Sequence, residues 1–295
     1  MVSVAYLFAG QGAQAPGMGR DLAAAFPEAK ALYDRASAIL GFDLAKVSFE
    51  GPAEELNRTD RCQPALLVHG IACLEAARRK GLPEGEAAAG LSLGEYTAHV
   101  YAGSLAFEDG VRLLQKRGQH MQEACDRTPS GMVSILGLDR EKVAEAVRGQ
   151  GDVGIANLNC PGQIVISGEN ASLERAAARC KELGAKRAIP LKVAGAYHSV
   201  VMKPAQEKMQ AELAAVKIAR PRVPVYANVS AKPLTDPEEI RAALATQICS
   251  PVLWEDTIRA IAAPKYVELG PGRVLAGLVR KIDEKAEVVS VEGAA

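Results

Sequence analysis

Gly90-Leu91-Ser92-Leu93-Gly94 stands between a small apolar run, Ala87-Ala88-Ala89, and a helix-like run that begins Glu95-Tyr96-Thr97-Ala98-His99. A Gly-x-Ser-x-Gly in that setting predicts a nucleophile elbow: a strand ends, the chain turns sharply, and one serine hydroxyl is lifted into the open. Small residues at 90 and 94 let strand and helix close around a strained turn. Glu95 places an acid in the first helical turn, where the helix dipole favours it. Five residues alone also fit an ordinary turn, so the weight lies in this strand-to-helix context.

The first 125 or so residues alternate short β-like runs with longer helical ones. A strand is expected over 1–8 and helical spacing over 21–40, with a break at Pro27. A second helix is expected over 63–80, opened by Pro64. After the elbow, a helix starts near Glu95 and a long amphipathic one covers 107–123. Strands alternating with helices predict a parallel sheet covered on both faces. Then the rhythm changes: strand 132–138, helix 140–150, strands 153–159 and 163–167 joined by a Pro161-Gly162 turn, helix 171–183, strand 186–193. That β-α-β-β-α-β order fits a ferredoxin-like unit. The chain therefore reads as α/β, a parallel-sheet domain over 1–127 and 197–295 with a ferredoxin-like subdomain at 128–196. Its last part holds strands at 224–228 and 266–269. Gly270-Pro271-Gly272 then turns into a helix over 274–282.

The formal net charge of +0 gives no global reason to expect nucleic acid or an anionic membrane as partner. No apolar run reaches the roughly 18 residues of a spanning helix. The first residues read as a core strand, not a signal peptide. Six cysteines without C-x-x-C spacing suggest reduced thiols in the cytoplasm, and neither they nor the four histidines show metal-ligand spacing.

A serine hydroxyl needs a base to take its proton. His198 is the best candidate, in the loop-like Gly195-Ala196-Tyr197-His198-Ser199 at the seam between the two units, where clefts form. His69 and His99 fall inside helical patterns and His120 sits among charged neighbours; all three read as structural. Gly10-Gln11-Gly12 follows the first strand, where a backbone N–H can help build an oxyanion hole. A plain turn also fits there; a phosphate loop fits less well, since the Walker lysine is absent.

Phe8-Ala9-Gly10-Gln11-Gly12-Ala13-Gln14, Gln63-Pro64-Ala65, the elbow with Glu95, Arg117-Gly118-Gln119-His120-Met121-Gln122 and Asn157-Leu158-Asn159-Cys160-Pro161-Gly162-Gln163 occur in order. Ala196-Tyr197-His198-Ser199, Gln247-Ile248-Cys249-Ser250-Pro251-Val252 and Glu268-Leu269-Gly270-Pro271-Gly272 complete the series. Along nearly its whole length the chain resembles the malonyl-CoA:acyl carrier protein transacylases. The resemblance implies a hydrolase-like α/β domain with a ferredoxin-like insertion. It implies Ser92 as the acylated nucleophile and His198 as base and then acid. Gln247 would orient the imidazole through its backbone carbonyl, and the N–H groups of Gln11 and Leu93 would form the oxyanion hole. Arg117 would grip the malonyl carboxylate through two parallel hydrogen bonds. From periodicity alone, Arg117 beside Lys116 reads as a surface residue. The donor would be malonyl-CoA and the acceptor the phosphopantetheine thiol of an acidic acyl carrier protein, in fatty acid or polyketide synthesis. No resident cofactor or metal is implied, and a monomer is expected.

Two residues depart from the family pattern. Leu91 stands where histidine is usual, and Tyr197 where phenylalanine or serine is frequent; an aromatic at 197 fills space that a branched acyl group would need. Two other functions compete. A serine hydrolase would share the elbow, but no His-Gly-Gly-Gly segment and no convincing acid between Ser92 and His198 support it. A non-catalytic carrier-binding module would not need Ser92, His198, Arg117 and Gln11 together. Candidate carrier-docking cations are Lys181, Lys186, Arg187 and Lys192, with Arg273, Arg280 and Lys281; a solvated charged face is the plainer reading of each.

Overall fold

A computed structural model describes residues 2–295. The larger sheet is built from β1 (Val4–Phe8), β2 (Ala87–Gly90), β7 (Val225–Tyr226), β8 (Pro233–Leu234), β9 (Lys265–Leu269) and β10 (Glu287–Val291). Their order is β10-β9-β1-β2-β7-β8, and every pairing is parallel except β7 with β8. All five residues of β1 are buried. Tyr6 and Phe8 point into one core, while Ala5 and Leu7 point into another with Trp254, Leu275 and Val279. Helices cover both faces, so the central strands are apolar throughout and show no polar alternation.

The smaller sheet contains β3 (Ser130–Leu136), β4 (Val153–Cys160), β5 (Gln163–Glu169) and β6 (Arg187–Pro190), in the order β4-β5-β3-β6. All its pairings are antiparallel. Helices Arg140–Val147 and Asn170–Glu182 pack on one face over Ile135, Ile164 and Ile166. From the other face, Met132 and Val165 join the main core. This is a ferredoxin-like subdomain set into a hydrolase-like α/β fold. Its edge strand β4 is tied to the larger domain: Val252 N–H donates to Ala156 O at 2.8 Å and Leu158 N–H to Val252 O at 2.9 Å.

Several boundaries differ from expectation. Within the described residues the first strand starts at Val4; Met1 lies outside them. Pro64 lies inside the helix Thr59–Arg79 and does not open it, because Arg58 O already accepts from Arg61 N at 2.9 Å and Cys62 N at 2.8 Å. The break at Pro27 divides Arg20–Ala25 from Pro27–Leu40, with Phe26 extended (φ −127°, ψ 112°), as the residue before a proline prefers. The long helix runs on to Arg127. The edge strand β10 has no counterpart in the sequence reading. Among the described residues no helix is long and apolar enough to cross a membrane.

Candidate active site

Strand β2 is Ala-Ala-Ala-Gly because the elbow helix, Leu93–Ala102, lies almost against it. A Cβ on Gly90 would stand 2.0 Å from the backbone of Gly94, and one on Gly94 would stand 2.4 Å from Phe8 O. Between them Ser92 is held at φ 56°, ψ −110°. A non-glycine residue there costs of order 1–3 kcal/mol. Asn228 offsets part of that cost by bracing the turn. Its Oδ1 accepts from Ser92 N–H at 2.7 Å and its Nδ2 donates to Gly90 O at 2.8 Å. Ser92 lines a cleft and is 8 % exposed.

His198 meets Ser92 from the other side of the cleft, across 106 positions of chain; Ser92 Oγ lies 2.8 Å from His198 Nε2. His198 is itself left-handed, with φ 59°. Its Nδ1 faces two backbone carbonyls, Gln247 O at 2.9 Å and Ser250 O at 3.2 Å. Carbonyls only accept, so Nδ1 carries the proton and Nε2 is left bare toward the serine. Burial, with the nearby Arg117 charge, lowers the imidazole pKa to about 4, against the pull of the two carbonyls. The ring is therefore a neutral base at pH 7.

Arg117 comes from the long helix Phe107–Arg127, where it shares the buried stripe with Val111, Leu114, Gly118 and Met121. The surface reading from periodicity is thus wrong: Lys116 faces outward and Arg117 inward, at 1 % exposure. Its NH1 donates to Gln63 Oε1 at 2.9 Å; its NH2 donates to Gln247 Oε1 and to Ser92 Oγ, both at 3.0 Å. Among the described residues its Nε has no partner. Desolvation lowers its pKa, yet a guanidinium stays charged. A cation clamped by amide oxygens, one hydrogen bond from a nucleophile, can pair with an anionic group bound in the cleft.

Two backbone N–H groups complete the site. Of the first N–H groups of the elbow helix, Gly94 donates to Leu91 O at 3.0 Å and Glu95 to Ser92 O at 3.1 Å. That of Leu93, next to the nucleophile, makes no hydrogen bond among the described residues, and neither does that of Gln11. The cleft has a volume of about 850 Å³ and lies between the two sheets, with Gln11, Ser92, Asn159, Tyr197, His198 and Leu278 in its wall. Leu91 presents an apolar side chain to it. The Tyr197 hydroxyl is engaged by Thr59 Oγ1 at 3.0 Å. Among the described residues no group of three or more His, Cys, Asp or Glu side chains could hold a metal ion.

The structure thus brings Ser92, His198, Arg117, Gln247, Gln11 and Leu93 to one place. His69 and His99 are buried away from it, and His99 Nδ1 is taken by Ser104 Oγ at 2.8 Å. Of the candidate docking cations, Lys192 lines the cleft and Lys281 donates to Gln163 Oε1 on its rim at 3.3 Å, whereas Arg273 is paired with Glu292 at 2.8 Å. Asn228 and the Ser250 carbonyl are neighbours of the site to which sequence reasoning gave no role: Asn228 lies in no motif, and Ser250 stands only as one member of the run 247–252. Glu95, read as a dipole-favoured acid, is instead fully buried and bonded to Gln247 Nε2 at 2.7 Å.

Comparison with known proteins agrees with this geometry. The model of the acyl transferase domain family matches residues 5–291. The malonyl CoA-acyl carrier protein transacylase of Bacillus subtilis is 45% identical over 99% of this chain and 94% of its own length. The crystal structure of an acyl carrier protein S-malonyltransferase from Vibrio cholerae superposes with a TM-score of 0.95 at 40% identity, covering 98% of this chain and 97% of that one. A malonyl-transacylase solved in complex with its type II PKS acyl-carrier protein gives 0.94 at 41% identity, over 98% and 96%. With the family model spanning both the large sheet and the inserted subdomain, this chain belongs to the acyl transferase domain family.

Proposed function

We propose that this chain transfers malonyl from malonyl-CoA to the phosphopantetheine thiol of an acyl carrier protein, through a malonyl ester on Ser92, in fatty acid or polyketide synthesis. The observation that carries this reading is the contact of one nucleophilic oxygen with both a neutral imidazole, at 2.8 Å, and a buried guanidinium, at 3.0 Å. The relatives' names support the substrates.

In the first half-reaction His198 Nε2 takes the Ser92 proton as Oγ attacks the thioester carbonyl. The N–H groups of Gln11 and Leu93 receive the developing oxyanion. As the intermediate collapses, the C–S bond breaks and the imidazolium returns its proton to the departing CoA thiolate. The carrier's thiol then repeats the sequence in reverse: His198 takes its proton, sulfur attacks the ester, and Ser92 leaves as the alcohol. A backbone carbonyl behind the imidazole, in place of a carboxylate, suffices because a thiol leaves more readily than an amine. Arg117 holds the free malonyl carboxylate throughout. Each proton and electron pair is carried by Ser92, His198 and the two thiols, so the cycle calls for no resident cofactor.

In this reading the catalytic domain comprises 1–127 and 197–295, with 128–196 as the subdomain that closes the cleft. The carrier is acidic and docks on exposed cations near the cleft mouth, Lys192 and Lys281 foremost. The enzyme works as a cytoplasmic monomer. Intact mass spectrometry tests the central claim. Wild-type protein mixed with malonyl-CoA should gain one malonyl group and lose it on addition of holo-carrier, and Ser92→Ala should gain none. Equal labelling of both proteins, or release as free malonate with carrier present, refutes the assignment.

A further inference from the structure

Glu95 lies three residues past Ser92 with no solvent contact. Its hydrogen-bond partners are amides: Oε2 accepts from Gln247 Nε2 at 2.7 Å and from Asn228 N–H at 3.0 Å, while Oε1 has no partner among the described residues. Removing a carboxylate from water costs several kcal/mol, and two neutral donors recover only part of that. Burial accordingly drives its pKa up to about 7, against the Asn228 and Gln247 bonds and the Arg117 charge. Stability alone gives no reason to keep an acid there.

The bonds supply a reason. The two ends of a glutamine amide are alike in shape and opposite in polarity, so surrounding groups decide which end points where. Gln247 Nε2 sits between two acceptors, Glu95 Oε2 and Ser92 O, the latter at 3.0 Å. That leaves Oε1 facing Arg117 NH2, while Gln63 Oε1 holds NH1. With the Gln247 amide reversed, an NH2 group would face the guanidinium and an oxygen would face two oxygens. The same Glu95 oxygen also holds Asn228, whose side chain braces Ser92.

We propose that Glu95 is a positioning residue for acyl selection: its carboxylate sets the orientation of the Gln247 amide, which holds the Arg117 guanidinium ready for a malonyl carboxylate. This rests on the acyl-transfer reading above. The test compares kcat/KM for acyl-enzyme formation from malonyl-CoA and acetyl-CoA. In Glu95→Ala the malonyl-to-acetyl ratio should fall at least about tenfold, as expected for losing one hydrogen bond that orients a charged group. Glu95→Gln keeps an oxygen for Gln247 Nε2 and Asn228 N–H and should stay within about threefold of wild type. Gln247→Leu, which leaves the backbone carbonyl on His198, should lower the ratio as Glu95→Ala does, and the double variant should add nothing further.

Equal loss on both substrates in folded Glu95→Ala would reduce Glu95 to a structural residue and overturn the proposal. So would a wild-type ratio in Gln247→Leu, which decides the matter even where Glu95→Ala does not fold. A wild-type enzyme that forms no malonyl adduct would instead refute the acyl-transfer reading itself.

Discussion

In the ferredoxin-like subdomain the buried polar side chains are neutral ones, Ser134, Asn157, Ser167 and Ser172. Around the larger sheet the chain buries Glu95, Arg117 and Glu268, with His69, His99 and His198. Backbone strain divides the same way. Ser92, His198, Ala231 and Ala262 have positive φ without being glycine, and none of them lies between Ser130 and Pro190. The small sheet obeys local rules: antiparallel neighbours, one helix-covered face, an Asp139 side chain capping the helix Arg140–Val147. The large one breaks those rules at the carboxyl ends of its strands. Charge and strain persist only where the surroundings over-determine them, and Ser92, His198, Arg117 and Glu95 bring both together beside one cleft, which marks it as a site.

Substitutions can break that contrast. The largest change in substrate choice should come from Arg117→Ala. Acylation by malonyl-CoA should fall roughly 10²- to 10³-fold, the kinetic equivalent of about 3–4 kcal/mol for a desolvated ion pair. Acylation by acetyl-CoA should move far less. A parallel loss of both would mean that Arg117 supports the fold of the site and does not select the acyl group.

Two glycine replacements compare the regions directly. Gly90→Ala pushes a methyl into the Gly94 backbone, which has nowhere to go, and should cost more than about 3 kcal/mol in urea unfolding. Gly154→Ala, on β4 of the subdomain, meets nothing within 4 Å and should stay within about 0.5 kcal/mol of wild type. Similar costs at the two positions would contradict the close packing claimed for the elbow.

The smallest effect is in pH. With His198 held near 4 by burial, the base form persists well below neutrality. The acylation rate should therefore halve near pH 4, and above about pH 5.5 it should change by no more than the roughly threefold expected of Glu95→Gln, since Glu95, with a pKa of about 7, still offers Oε2 to Gln247 when protonated. Stability runs with the same sign. An unfolded histidine, with a pKa of about 6.5, takes up protons that folded His198 refuses. Its contribution is whole above about pH 6.5 and is lost as pH falls toward 4. Rates must therefore be read in brief pH jumps. A midpoint between pH 6 and 7 that persists in Glu95→Gln would mean that water reaches the imidazole.

Much of this site could be read along the chain, and the exceptions have a common cause. Ser92 is announced by its own neighbours, since a strained turn needs glycine on either side. His198 follows from a loop at a seam. Arg117 hides in a charged stretch although its spacing from Val111, Leu114 and Met121 puts it on the buried stripe. Asn228 carries no mark at all: it follows a two-residue strand, and its importance comes from Ser92, 136 positions away. Glu95 was legible as a helix-start acid and not as the partner of Gln247, 152 positions on. Helix Thr59–Arg79 shows the same limit at a boundary, where a proline that locally signals a start is absorbed by tertiary packing.

Periodicity, glycine and proline placement were enough to determine the α/β class, the inserted antiparallel unit and the serine turn, because each follows from interactions among residues a few positions apart. Only the tertiary structure decided which polar groups are removed from water and which way each amide and imidazole faces. Those choices depend on partners 25 to 155 positions away, whose hydrogen bonds exist only once both sheets have closed on the cleft.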